Sequence, residues 1–251
     1  MDILYEDNHI IAVNKSPGEI VQGDKTGDTP MSETLKQYLK EKYNKPGEVF
    51  LGVPHRLDRP TSGVVLFART SKALSRLSEM FKEKSSISNQ SSTNSQSSIV
   101  QSSIKKTYWA IVQGAPKRAE GRLENYLVRN EPQNKSYIVD SRKSKVESQK
   151  LNDAKLAILT YRTLARGEHY TLLEVELQTG RHHQIRCQLA GIGCPIKGDL
   201  KYGAKRSNPD GSICLHARQI TFVHPVRKEP LTITAPVPDD SLFAQLLAEN
   251  K

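Results

Sequence analysis

Residues 155–180 constrain the fold most. They read KLAILTYRTLAR, then HYTLLEVELQTG, with Gly167 between them. Both runs are rich in β-branched and aromatic residues and alternate in polarity, so they read as strands. A connection this short joins antiparallel neighbours. A sheet with at least one antiparallel pair is therefore expected in this half of the chain.

Other strand-like runs follow the same logic. ILYEDNHIIAVNK (3–15) reads as two short strands around a turn at Asp7 and Asn8. GVVLFAR (63–69), KKTYWAIVQG (105–114), ICLHARQITFVHP (213–225) and PLTITAP (230–236) read as further strands. Helical spacing appears in MSETLKQYLKEKY (31–43), at Leu35, Tyr38, Leu39 and Tyr43. SKALSRLSEMFKEK (71–84) reads as an amphipathic helix with Ser71 as its N-cap. HHQIRCQLAGIG (182–193) and DDSLFAQLLAEN (239–250) complete the helices. Strands and helices mix without a regular βαβ rhythm. That predicts an α+β fold with a mixed, mainly antiparallel sheet flanked by helices.

The 251 residues suffice for one large domain, and a single domain over 1–251 is the expectation. One tract differs: SSISNQSSTNSQSSIVQSS (85–103) holds ten serines in nineteen residues. Such a segment buries too little apolar surface to offset its ordering entropy, and reads as a flexible loop inserted in that domain. No apolar run approaches the roughly 18–20 residues of a membrane span. The N-terminus has no basic, then apolar, signal pattern. The three cysteines, Cys187, Cys194 and Cys214, form no CxxC pair. Together these features point to a soluble protein of the reducing cytoplasm.

Net charge is +10, unevenly spread. Residues 101–150 carry 11 Lys and Arg against 5 Asp and Glu, and residues 181–230 carry 9 against 3. Localised positive charge is the footprint of a polyanion partner. The chain has no GxGxxG and no GxxxxGK[ST], so a nucleotide cofactor has no visible seat. His182 and His183 suggest a metal, but neighbours on a helix point about 100° apart and rarely share one ion. No HExxH and no completing carboxylate are present. No cofactor and no metal are expected.

The chemistry must then sit in HRLDRPTSG (55–63), where Asp58 lies close to Arg56 and Arg59. Alone, this could be a surface turn whose acid caps backbone N–H groups. It does not stand alone. HRLDRPTSGVVLFAR resembles the catalytic-aspartate motif of the RluA family of RNA pseudouridine synthases. KKTYWAIVQG resembles that family's tyrosine motif, LQTGRHHQIRCQLAGIGCPIKGDLKYG its arginine motif, and CLHA its short late motif. ILYEDNHIIAVNKSPG is similar to its opening. The four ordered motifs span nearly the whole chain.

The resemblance implies isomerisation of uridine to pseudouridine in RNA, ribosomal or transfer, by a monomer with an active-site cleft across its sheet. It implies Asp58 as the essential carboxylate, ionised to act as nucleophile or base. It implies Arg181, rather than Arg59, as the guanidinium that keeps Asp58 charged, its fork matching a carboxylate. Tyr108 would stack on the flipped uracil. Arg56 would displace or replace the target base or touch backbone phosphate, and Leu215 would pack near the base. Lys106, Arg186 and Lys197 read either as RNA phosphate contacts or as solvated charges. His55 and His216 read as structural hydrogen-bonders. Many relatives carry an S4-type RNA-binding module first. Here the motifs begin at the first residues, so RNA choice is expected to rest on the catalytic domain and its loops.

Two other classes compete. An RNA-binding protein that had lost catalysis need not keep Asp58, Tyr108 and Arg181 together. A glycoside hydrolase normally uses two carboxylates, and no second acid stands in the Asp58 motif.

Overall fold

The computed structural model describes residues 1–24, 26–86, 104–139, 153–237 and 241–249. Nearly all of the serine-rich tract lies outside them. The chain divides into two compact units. Unit 1 is Met1–Lys106 with Ala217–Pro236, and unit 2 is Thr107–His216 with Val237–Lys251.

Unit 1 contains β1 (Asp2–Glu6), β2 (Ile10–Lys15), α1 (Met31–Lys42), β3 (Ser62–Ala68) and α2 (Ser71–Ser86). Later in the chain it takes most of β9 (Leu215–Val223) and all of β10 (Pro230–Thr234). The strands run in the order β1-β2-β3-β9, and β10 pairs with β9. The pairs β1–β2, β2–β3 and β9–β10 are antiparallel. Asp7 accepts from the His9 and Ile10 amides at 2.8 and 2.9 Å, which closes the turn between β1 and β2. The apolar face of α1 (Met31, Leu35, Leu39) packs with Ile11, Val13, Val65 and Phe67. Tyr43, on the same helical spacing, stays exposed. Helix α2 is capped by Thr70, whose Oγ1 accepts from the Ala73 amide, and not by Ser71 as the sequence suggested.

Unit 2 contains β4 (Lys105–Gln113) from Thr107 on, β5 (Glu120–Asn130), β6 (Lys135–Val139), β7 (Lys155–Arg166), β8 (Tyr170–Leu177), α3 (Gln184–Gly191), a 3-10 turn (Leu200–Tyr202) and α4 (Leu242–Glu249). Its strand order is β4-β8-β7-β5-β6. The β7–β8 pair is antiparallel as expected, with Leu159 opposite Leu177 and a register shift between Thr163 and Ala165. β5 pairs antiparallel with both β6 and β7. Neither β5 nor β6 was expected from the sequence.

Strand alternation sorts the two faces of this sheet. Ile111, Ala165 and Leu172, with Trp109 against them, pack on Phe243 and Leu246 of α4. Leu127 and Ala157 pack on Cys187 of α3 and on Tyr202. Helix α4 thus covers one face and α3 the other.

Candidate active site

In unit 1 the Asp58 segment is fastened from below by a residue the sequence analysis missed. Lys15, the last residue of β2, retains 1% of its surface. Its Nζ donates to the carbonyls of Ser16 (3.0 Å), Arg59 (3.0 Å) and Thr61 (2.7 Å). Burial pulls its pKa down to about 8, while the charges of Glu19 and Asp58 oppose the fall. The Thr61 amide donates to the Asp58 carbonyl at 3.0 Å, and the Gly18 amide donates to the Arg59 carbonyl at 2.9 Å. Four hydrogen bonds from Lys15, Thr61 and Gly18 thus hold residues 58–61. A lysine ending an apolar strand ordinarily reads as a solvated strand end, and nothing local in the sequence announces its three acceptors.

Gly63 closes the segment for a reason sterics makes plain. Its φ is +110°, and a Cβ there would lie 2.4 Å from the Ala217 carbonyl oxygen. No side chain fits between β3 and β9 at this point.

The neighbours of Asp58 separate by role. Arg59 turns to an acidic loop, with Nη2 2.7 Å from Asp28 and 3.6 Å from Asp24. Arg56 is exposed. His55 accepts the Leu66 amide on Nε2 at 2.9 Å and stacks on Phe81 at 4.6 Å. Burial, aided by the charge of Lys106, pushes its imidazole pKa down to about 3. A ring held neutral with Nε2 accepting is a brace between the motif and β3. Lys106 lies 5.6 Å from the Phe81 ring centre, and burial pulls its pKa down to about 8.

In unit 2, Arg181 stands in the turn after β8. Gln184, buried at the start of α3, fastens that turn. Its Oε1 accepts from the Arg181 amide (2.9 Å) and the Thr179 hydroxyl (2.8 Å), and its Nε2 donates to the Ile158 carbonyl (3.0 Å). The Arg181 Nε donates to the Leu156 carbonyl at 2.8 Å, which orients the guanidinium. Burial lowers its pKa from the usual value, yet a guanidinium stays charged. His182 contacts Ser136 and Asn134 through its two ring nitrogens, and His183 contacts the Tyr202 hydroxyl. These histidines brace the turn. Among the described residues no group of three or more His, Cys, Asp or Glu is placed to hold a metal ion.

Tyr108 retains 8% of its surface. Trp109 and Ile111 face α4, so alternation turns Tyr108 to the α3 face of the sheet. His216 lies against Phe243 of α4, so Leu215 falls on the same face as Tyr108. Lys197 donates to Asn208 Oδ1 and lies 5.8 Å from the ring of Tyr170, which packs in the α4 cluster. It does not join Tyr108.

Arg186 corrects the sequence reading. It was expected at RNA phosphate, but it retains 5% of its surface and pairs bidentately with the equally buried Asp199. Nε lies 2.6 Å from Oδ2 and Nη2 2.9 Å from Oδ1. The guanidinium also stacks on Tyr202 at 5.1 Å. A desolvated arginine closed by its own carboxylate fixes α3 to the 3-10 turn and has no fork left for RNA.

An α+β fold with a tethered aspartate turn in one unit and a tethered arginine turn and inward tyrosine in the other defines a class, and comparison with known proteins agrees. Residues 9–191 match the family model described as RNA pseudouridylate synthase. An uncharacterized RNA pseudouridine synthase of Synechocystis is 33% identical over 95% of this chain and 66% of its own length. The ribosomal large subunit pseudouridine synthase D of Xylella fastidiosa is 31% identical, over 99% of this chain and 69% of its own. The tRNA pseudouridine synthase C of Vibrio cholerae is 30% identical, over 99% of this chain and 95% of its own. The solved structure titled Human RNA Pseudouridylate Synthase Domain Containing 4 superposes with a TM-score of 0.74 over 98% of this chain and 92% of its own, at 24% identity, and shares the fold. The chain belongs to the RNA pseudouridylate synthase family, whose members isomerise uridine to pseudouridine. It spans about two thirds of the Synechocystis and Xylella relatives.

Proposed function

We propose that this chain converts specific uridines of ribosomal or transfer RNA to pseudouridine, with Asp58 as its reacting carboxylate. The reaction breaks the N1–C1′ bond, turns the freed uracil and joins C5 to C1′. The proton on C5 leaves and N1 gains one, so atoms balance without an added oxidant or reductant. Asp58 acts on the ribose as an ionised carboxylate, either as nucleophile or as base. Arg181 supplies the guanidinium that favours its charged form. Tyr108 offers a ring face to the flipped base, and Leu215 packs beside it. Arg56 and Lys106 contact the RNA, and Lys197 remains a weaker phosphate contact. The names of the relatives support both RNA classes.

The observation that carries this reading is the tethering of the Asp58 turn by the buried Lys15. A solvated acidic turn needs no buried lysine beneath it. Desolvating an ammonium to fix residues 58–61 is costly, and suits a carboxylate that must hold its position. No described helix is long and apolar enough to cross a membrane. A cytoplasmic monomer is part of the proposal.

The test is a map of pseudouridines in ribosomal and transfer RNA from cells with and without the gene, complemented by wild type or Asp58→Asn. At least one site should vanish with the gene and return only with wild type. Restoration by Asp58→Asn within tenfold of wild type refutes the assignment.

A further inference from the structure

The reading above leaves one concavity of unit 2 without a role. A cavity of about 460 Å³ is lined by Lys117, Arg118 and Arg122 together with Leu123, Tyr161 and Ile192. Lys117 and Arg118 are exposed on the connection between β4 and β5. Neither forms an ion pair or a hydrogen bond among the described residues. Arg122 pairs with Glu124 at 2.7 Å.

Exposed cations alone mean little, since most are simply solvated. The floor of the cavity is the second observation. Tyr161 retains 8% of its surface, and its hydroxyl, which bonds no described residue, is not among the polar atoms sealed from solvent, so it is open to a ligand. The residue opposite it in register is Gly121. A Cβ on Gly121 would stand 2.8 Å from the Tyr161 hydroxyl oxygen. With no side chain on Gly121, the Tyr161 ring edge and hydroxyl lie across that residue in the lining of the cavity. Ile192, 38% exposed at the end of α3, adds an apolar wall.

Cations at the rim, an apolar wall and a donor at the floor complement a nucleotide. Phosphate meets Lys117 and Arg118, and sugar or base meets Ile192 and the Tyr161 hydroxyl. The cavity is also displaced from the arginine turn. The Arg181 Nε bonds the Leu156 carbonyl near the start of β7, and Tyr161 lies five residues further along that strand. At the rise of a strand this is about 17 Å. One RNA strand can reach both places, while the reacting uridine cannot occupy both.

We propose that this cavity is a second RNA site, which holds a phosphate and its nucleotide outside the reacting uridine. The inference rests on the reading that the chain acts on RNA. Its chemistry would also suit a free nucleotide, and the test separates the two.

Fluorescence anisotropy of a labelled oligouridylate, titrated with the full chain across a salt series, reads the site. A Lys117→Gln, Arg118→Gln double variant should bind more weakly, with the salt slope reduced by about 1.4. Tyr161→Phe should weaken binding several-fold at an unchanged unfolding temperature, because the hydroxyl it removes has no protein partner. Photocrosslinking a bromouridine-substituted oligomer should mark the peptide that contains Lys117–Arg122 or Tyr161. Wild-type affinity and slope in both variants overturn the proposal. So does saturable binding of uridine monophosphate that Tyr161→Phe abolishes while RNA affinity is untouched, which would make the cavity a free-nucleotide site. Pseudouridine formation by wild type on ribosomal and transfer RNA transcripts is measured in parallel. If wild type is active and the variants bind normally, only the second site falls. If wild type forms no pseudouridine, the proposed function falls, and the binding data still decide the cavity.

Discussion

Replacing Lys15 by Met tests whether the aspartate turn is held from below. The two side chains have similar length, so the change removes three donated hydrogen bonds and one buried charge with little change in packing. Leaving the buried Thr61 carbonyl unsatisfied costs about 1–3 kcal/mol and losing each of the two part-buried bonds costs about 0.5–1.5 kcal/mol, roughly 2–6 kcal/mol together. Against this stands relief of the lysine's own desolvation. The fall of its pKa from 10.5 to about 8 corresponds to about 3 kcal/mol at 1.36 kcal/mol per unit. The net expectation is a loss of about 1 kcal/mol, or about 2–4 °C in Tm for a chain of this size. Activity should fall further than stability explains, because a displacement of about 1 Å in a reacting group costs about 100-fold in rate. The assay is single-turnover pseudouridine formation at saturating RNA, well below the variant's Tm, with urea unfolding on the same sample. A rate within threefold of wild type, in a variant that loses the predicted stability, would show that Lys15 only stabilises the fold. Unchanged stability would show that its three acceptors are satisfied without it.

Other expectations test separate parts of the structure. Arg181→Lys keeps the charge but loses the planar fork, so the single-turnover rate should drop by orders of magnitude with RNA affinity little changed; a near-normal rate with a salt slope shallower by about one would make Arg181 a plain phosphate contact. Gly63→Ala forces a Cβ to within 2.4 Å of the Ala217 carbonyl at a positive φ, so urea unfolding should show a loss above about 4 kcal/mol, and a loss below 1 kcal/mol would deny the close approach of the two strands. The depressed pKa of His55 sets the sign of the acid response: the unfolded imidazole binds a proton below its ordinary pKa of 6.5, while the folded one stays neutral down to about 3. Stability should therefore fall as pH drops from 6.5, by about 2 kcal/mol at pH 5, and His55→Gln should flatten that limb; an unchanged limb would assign it to other groups, His224 among them.

The parts of this fold that were legible in the sequence bury one face and show it as a period. The alternation of 155–180 and the spacing of Leu35 and Leu39 are of this kind, and each appears as strand or helix. β5 is not of this kind. Arg122, Glu124 and Tyr126 expose one side of it and only Leu127 is buried, so its apolar pattern is weak, and its place comes from partners in β6 and β7. The site divides on the same line. Asp58, Tyr108 and Arg181 are readable because each lies within a contiguous motif. Arg186 misled, because Asp199, thirteen residues on, reaches it only after the chain has turned back. Lys15 and Gln184 were silent for the same reason: their acceptors include the carbonyls of residues 59, 61 and 158, and a carbonyl has no letter in the sequence. Yet these two residues do equivalent work. Each sits inside a unit and fastens one chemistry-bearing turn, Lys15 by donating to its carbonyls and Gln184 by accepting from the Arg181 amide and the Thr179 hydroxyl while donating to the Ile158 carbonyl. Neutralising Arg181 therefore leaves the Gln184 fastener intact, whereas neutralising Asp58 also removes one of the charges that support the Lys15 ammonium, so the two turns answer differently to a change in the charge chemistry of the site.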